Sequence, residues 1–105
     1  MHAVARTYSG VGAKEFTGLL ESRTAEIEKL IMGVDGVDNY TLFRTDDGVM
    51  AVTVCHDKAA AQKSLEVARK WIADNASHTK VAPPKVASGE VILACGKARR
   101  ATKAA

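Results

Sequence analysis

The side chains in this sequence that could do chemistry are few: three histidines, two cysteines, two tyrosines and one tryptophan. His56 stands at the end of a β-rich run with Asp57 beside it. A carboxylate there would hold the imidazole tautomer and let the ring accept a proton. The competing reading is an exposed histidine at a strand end. Arg6 and Tyr8 are two residues apart, so a strand puts them on one face. An arginine inside a sheet layer would clamp an anion; otherwise it forms an edge or interface ion pair. Tyr40 could donate to a developing oxyanion, or pack across strands. Trp71 could stack on a ligand, although a tryptophan at helical spacing is more often a core or dimer anchor. His56 and Tyr40 are therefore the candidate catalytic residues, and Arg6, Tyr8 and Trp71 the candidate binding residues.

Metal and phosphate chemistry have no motif to carry them. No His/Cys/Asp spacing brings together the three or four ligands a metal needs, and Cys55 and Cys95 form no metal pair. Gly10-Val11-Gly12 sits between a strand signal and a helix signal, but Glu15 stands where the dinucleotide fingerprint has its third glycine, and its charge repels phosphate. That stretch reads as a plain βα turn. No cofactor and no metal are expected.

The elements that must position these residues are organised around Val37 to His56, two β-rich runs joined by Thr45-Asp46-Asp47-Gly48. Asp caps its own backbone in such a turn, and Gly takes positive φ without steric cost. In the second run Met50, Val52 and Val54 share one face, while Val49, Ala51, Thr53 and Cys55 share the other. Neither face is charged, whereas a strand with one wet face alternates apolar and polar. Both faces of this strand should therefore be covered.

On either side lie helical patterns. From Ala13 to Met32, Phe16, Leu19, Leu20, Ile27, Leu30 and Ile31 fall on one face, and Gly33 is placed to end the helix. Asp57 is a good N-cap for a second helix, Lys58 to about Asn75, with a small-residue stripe of Ala61, Ser64, Leu65, Ala68 and Ile72 and Trp71 at its edge. His2 to Tyr8 reads as a first strand and Val86 to Cys95 as a last one, with a bulge at Ser88-Gly89. The order β-α-β-β-α-β is the ferredoxin-like unit, an α+β fold. Right-handed crossovers give a four-stranded antiparallel sheet in the order 4-1-3-2 with two helices on one face. The other face is apolar and bare, which a monomer should not expose; a homodimer is expected. In that order strand one separates Cys55 from Cys95 by two strand spacings, roughly 9.6 Å, beyond the roughly 7 Å a disulfide tolerates. No intrachain disulfide is expected.

The 105 residues suit one domain, and 47% hydrophobic content suffices for a modest core. The net charge of +3 belongs to the end of the chain: Lys97, Arg99, Arg100 and Lys103 lie in residues 97–105 with no acid, and residues 1–96 hold 11 basic and 12 acidic side chains. We therefore expect a domain over 1–96 and a disordered basic tail over 97–105, dispensable for folding. A basic patch on the folded surface, which nucleic-acid binding would need, is not expected. Met1-His2-Ala3-Val4 enters a strand pattern directly, without the long apolar run of a secretory leader, and no stretch has the roughly 20 apolar residues of a membrane helix. Neither a membrane nor a nucleic-acid partner is expected, and a reducing cytoplasm is the default compartment.

The opening Met-His-Ala-Val-Ala-Arg-Thr-Tyr, the helix after Gly-Val-Gly, Gly33-Val34-Asp35-Gly36 before the second strand, the hairpin with Asp57 opening a helix, and the closing Glu90-Val91-Ile92 together resemble the dimeric α/β-barrel superfamily. The resemblance is in particular to its antibiotic-biosynthesis-monooxygenase-like (ABM) domains, and covers nearly the whole chain up to Gly96. It implies a homodimer whose sheets close into a barrel, with a pocket between helices and sheet. The activities it implies are those of cofactor-free oxygenases, haem-degrading enzymes and isomerases. The haem-degrading branch uses an Asn on strand one and a Trp and a His on helix two. Here strand one has Arg6 and Thr7, and the Trp and His positions fall near Ser64 and Asp74, out of register with Trp71 and His78, so haem degradation is disfavoured. Two function classes follow: a cofactor-free oxygenase or related enzyme acting on a hydrophobic or aromatic small molecule, or a non-catalytic ligand-binding or interaction homodimer.

Overall fold

The structure, a computed structural model, describes residues 1–96; the expectation for the basic tail lies outside them. Strands β1 (His2–Tyr8), β2 (Val37–Arg44), β3 (Val49–Cys55) and β4 (Lys85–Glu90) form one antiparallel sheet in the order β2-β3-β1-β4. Helices α1 (Ala13–Ser22), α2 (Thr24–Met32) and α3 (Lys58–Asn75) cover one face, and a single 3-10 turn follows α3 at Ser77–Thr79. The expected strand order is the one observed, read from its other edge.

Alternation decides the two faces. Val4, Arg6 and Tyr8 on β1 and Val49, Ala51, Thr53 and Cys55 on β3 are buried beneath the helices. Their alternates, Ala3, Ala5 and Thr7 with Met50, Val52 and Val54, are only partly covered. The register pairs them as Ala3 with Val54, Ala5 with Val52 and Thr7 with Met50, which makes an apolar strip across the open face. Phe43, opposite Met50 on β2, extends it and is 45% exposed.

Three local features differ from the sequence expectation. First, the first helical segment is two helices. Ser22 Oγ donates to the Leu19 carbonyl at 2.7 Å and takes the acceptor that an α-helix would give to the Arg23 N–H. Arg23 N bonds to Leu20 O instead, at 3.0 Å, and Arg23 leaves the helical region (φ −125°, ψ 24°). Second, β4 ends at Glu90 because its partner ends there: Glu90 pairs with His2, and Val91 N finds Met1 O at 2.9 Å. Among the described residues no further strand partner lies beyond, and Ile92 and Leu93 are exposed. The pairing through Ser88-Gly89 is unbroken, and the register shift falls instead between Val37 and Asn39 on β2. Third, Trp71 is buried within the α3 stripe and not at its edge.

Asp57 caps α3 as expected, with Oδ1 accepting from Ala60 N at 2.8 Å. The glycine preceding α1 is dictated by the turn: Gly12 has φ 82°, and a Cβ there would collide with the Thr79 carbonyl and sit 2.9 Å from Val81 N. Cys55 ends β3 and is buried; Cys95 lies past β4 and is exposed. Burial, more than the nearby Asp38 and Asp57, pushes the Cys55 thiol up. Non-reducing mass spectrometry of the folded protein is expected to show no link between the two. A thiol reagent is expected to modify Cys95 at once and Cys55 only on denaturation; equal reactivity would contradict the buried placement.

Candidate functional site

The core between the helices and the sheet is not completely filled. A cavity of about 30 Å³ remains, lined on the sheet side by Arg6, Tyr8, Tyr40, Leu42 and Ala51 and roofed by residues of all three helices, Trp71 among them. Its volume suits one or two water molecules. Between α2 and β2 an open groove of about 400 Å³ runs beside it, with Thr24, Glu28, Asp38 and Asn39 on its sides. Ile27, Tyr40 and Leu42 form the wall shared by cavity and groove. Together they have the size of a small-molecule site.

Strand alternation places the polar groups of the cavity. Arg6 and Tyr8 project from β1 toward the helices, and Arg6 Nη1 donates to Tyr8 Oη at 2.8 Å. Tyr40 enters from β2. Burial pushes its phenol up, against the pull of the Arg6 guanidinium. Tyr8 also packs against Phe16 of α1, ring centroids 4.7 Å apart. Arg6 is 5% exposed, and no carboxylate pairs with it among the described residues.

Trp71 closes the roof. Its indole lies over the cavity, and Nε1 donates to Glu26 Oε2 on α2 at 2.7 Å. The other Glu26 oxygen takes a bond from Arg23 Nη1 at 3.0 Å. Glu26 thus ties α3 to α2 and to the break that lets α2 turn. The Trp71 N–H first, and Arg23 second, hold the Glu26 carboxyl below its ordinary value. A carboxyl with a depressed folded pKa stabilises the fold above its unfolded pKa, and that stabilisation is lost as pH falls through the folded value. Trp71 is the single tryptophan. Its emission is therefore expected to shift as the solution is acidified below the ordinary glutamate pKa of 4.5. Glu26→Ala is expected to show the acid spectrum at neutral pH. A spectrum unchanged by both treatments would mean that the tie does not exist in solution.

Of the five candidate site residues, four meet at this cavity: Arg6, Tyr8, Tyr40 and Trp71. His56 does not. It lies exposed, with Nδ1 3.5 Å from Asp38 Oδ2, and the neighbouring Asp57 spends its carboxylate on the α3 cap. Glu26 was not singled out by the sequence, because an acid on the polar side of a helical stripe carries no mark of a partner 45 residues away. Among the described residues there is no group of three His, Cys, Asp or Glu able to hold a metal, and no helix long and apolar enough to cross a membrane.

No protein-family model matches the chain, and no curated protein does. Solved structures do. An antibiotic-biosynthesis-monooxygenase candidate from Deinococcus radiodurans superimposes with a TM-score of 0.67 at 19% identity, over 94% of this chain and 100% of that one. The haem-degrader MhuD of Mycobacterium tuberculosis, with two haems bound in its active site, gives 0.63 at 19% identity over 90% and 98%. The monooxygenase ActVA-Orf6 of Streptomyces coelicolor, in complex with nanaomycin D, gives 0.59 at 19% identity over 92% and 91%. At such identities the likeness shows the fold alone, and in fold this chain is similar to these antibiotic-biosynthesis-monooxygenase-like proteins.

Proposed function

We propose that the protein binds an apolar, ring-bearing small molecule between its helices and sheet and oxygenates it without a cofactor. One observation carries this: Arg6, Tyr8 and Tyr40 converge in an otherwise apolar cavity that shares a wall with an open groove. The structural neighbours include a monooxygenase in complex with nanaomycin D and a haem-degrader holding haem. Haem degradation is the weaker choice: β1 has no asparagine, Ser64 is buried with its hydroxyl on the Ala61 carbonyl, and Asp74 is exposed beside Lys70.

The cavity as it stands has room for water and no more, so a ligand enters from the groove by parting α2 from β2 at the shared wall of Ile27, Tyr40 and Leu42. Arg6 would favour the ionised form of a bound phenol. An electron-rich phenolate then reacts with molecular oxygen. For naphthol the balance is naphthol plus O2 to naphthoquinone plus water: one oxygen atom replaces ring hydrogen, and the other leaves as water. The protein's part is to bind, to orient and to stabilise the anion.

A second reading, a non-catalytic binder, is favoured by one fact: the polar lining offers a guanidinium and two phenols, and no group that accepts a proton at neutral pH. Titrating naphthol while following Trp71 emission, with oxygen uptake recorded in parallel, separates the readings. Saturable quenching with one O2 consumed per naphthol supports the oxygenase. Quenching with no uptake above the protein-free rate supports the binder. No quenching overturns both.

We further propose that the functional unit is a homodimer whose second sheet covers the strip of Ala3, Ala5, Met50, Val52 and Val54. An interface of roughly 1,600 Å² or more in total is expected. Light scattering after size exclusion should give the mass of two chains across micromolar concentrations; the mass of one chain would sink the idea. Val52→Lys is expected to shift the mass to one chain, because it puts a charge at the centre of the strip.

A further inference from the structure

We infer that Arg6 anchors an organic oxyanion, so that the bound molecule is an apolar, ring-bearing acid and not a neutral hydrocarbon; this rests on the small-molecule reading above and narrows it. Arg6 sits in the middle of β1, an interior strand, opposite Ala51 on β3 and Val86 on β4. Neither neighbour brings charge. No acid lines the cavity; of those on the surrounding elements, Glu26 is engaged with Trp71 and Arg23, Glu21 with Arg44, Asp38 lies beside His56, and Glu28 lines the open groove. The guanidinium donates from Nη1 to Tyr8 Oη, lies within hydrogen-bonding reach of the Tyr40 phenol, and makes a loose cation–π contact at 5.9 Å from the Tyr8 ring. Among the described residues nothing gives it a counter-charge.

A buried cation without a counter-charge is a standing cost to the fold. Water in the cavity can accept hydrogen bonds from the guanidinium but brings no negative charge. An oxyanion does both. Tyr8 Oη, having accepted from Arg6, still has its own O–H to give, and so does Tyr40. The polar lining is thus a set of donors around a cation, the complement of a carboxylate or a phenolate. The planar fork of the guanidinium matches two carboxylate oxygens, which a lysine would not.

Three probes of one shape test the inference: naphthoate, naphthalene carboxamide and naphthol, each titrated against the full chain and its Arg6→Met variant, with Trp71 emission as the readout. The unliganded proteins are melted in parallel. The native protein is expected to bind naphthoate at least about tenfold more tightly than the carboxamide. Arg6→Met should bring that ratio to about one while the carboxamide still binds. Unliganded Arg6→Met should melt higher than the native protein, because it removes the uncompensated charge. Naphthol separates the two sources of oxyanion. Phenolate absorption from bound naphthol at neutral pH marks a phenol that ionises on binding; bound naphthol without it marks a carboxylate site. Equal affinity for naphthoate and carboxamide, with a lower melting temperature for Arg6→Met, would overturn the anchor and leave the small-molecule cavity standing. Failure of all three probes to quench overturns the cavity reading itself. The anchor, which rests on that reading, falls with it. Arg6→Gln, which keeps N–H donors and drops the charge, replaces Arg6→Met should that variant not fold.

Discussion

Gly48→Ala is expected to cost about 3 kcal/mol or more and to lower the melting temperature by roughly 12–24 °C. Gly48 closes the hairpin turn: Thr45 N bonds to its carbonyl at 3.0 Å, and its own N–H bonds to Thr45 Oγ1 at 3.0 Å. It is buried where the turn presses on the end of β1. A Cβ at this position would collide with the Tyr8 carbonyl oxygen and stand 2.9 Å from Ala13 Cβ. The obstacle is backbone, so no rotamer relieves it. The turn must lift, and the Tyr8–Val49 pairing next to it must open. Gly18→Ala is the control with the opposite sign. Gly18 is exposed within α1, nothing lies within 4 Å of a Cβ there, and helix propensity gains about 1 kcal/mol. Thermal melts of the two variants decide the matter. A Gly48→Ala melt within a degree or two of the native protein would mean that the turn is not seated on β1.

The need for glycine at Gly48 was legible in the sequence; its reason was not. Turn chemistry suggested positive φ, but Gly10, Gly12 and Gly36 are the glycines with positive φ, and Gly48 is constrained by space. The same division runs through the fold. The two uncharged faces of β3 and the cap at Asp57 are local patterns, and they led directly to the strand order and to α3. The break at Arg23 escaped because the apolar spacing from Leu20 to Ile27 is two helical turns and runs through the break without a fault. The hydroxyl of Ser22 carries the signal, and serine on a polar helix face is ordinary. The end of β4 depended on where β1 begins, a fact about a partner strand 88 residues away in the chain.

The site was legible to the extent that strand alternation could reach. Arg6 and Tyr8 share a face in sequence and share the cavity in the structure. Tyr40 joins them because the β2–β3–β1 order lays its strand two places away on the same side. Sequence proximity misled only at His56. Its neighbour Asp57 turns to the helix cap, and the carboxylate that approaches the ring comes from Asp38, at the β2 irregularity.

Trp71→Ala is expected to cost about 3–5 kcal/mol, the range for removing a large aromatic side chain from a core. Trp71 is 8% exposed and packs in the cluster of Tyr8, Phe16, Leu20, Ile27, Ile31 and Ala68. Its removal merges the space of an indole with the cavity already beneath it. Trp71→Phe keeps most of that volume and loses the hydrogen bond to Glu26, a solvent-exposed acceptor that water can satisfy. Its cost should be about 1 kcal/mol. The two variants together divide the role of Trp71 between filling space and tying α3 to α2. The enlarged cavity is apolar except for Arg6, Tyr8 and Tyr40, and such space takes small arenes. Indole at tenfold its dissociation constant should restore about 1.4 kcal/mol to Trp71→Ala, several degrees in a melt, and leave Trp71→Phe where it was. If Trp71→Ala melted like the native protein, the roof would not be packed as described. If it melted low and indole did nothing, α2 and α3 would have collapsed into the vacated space.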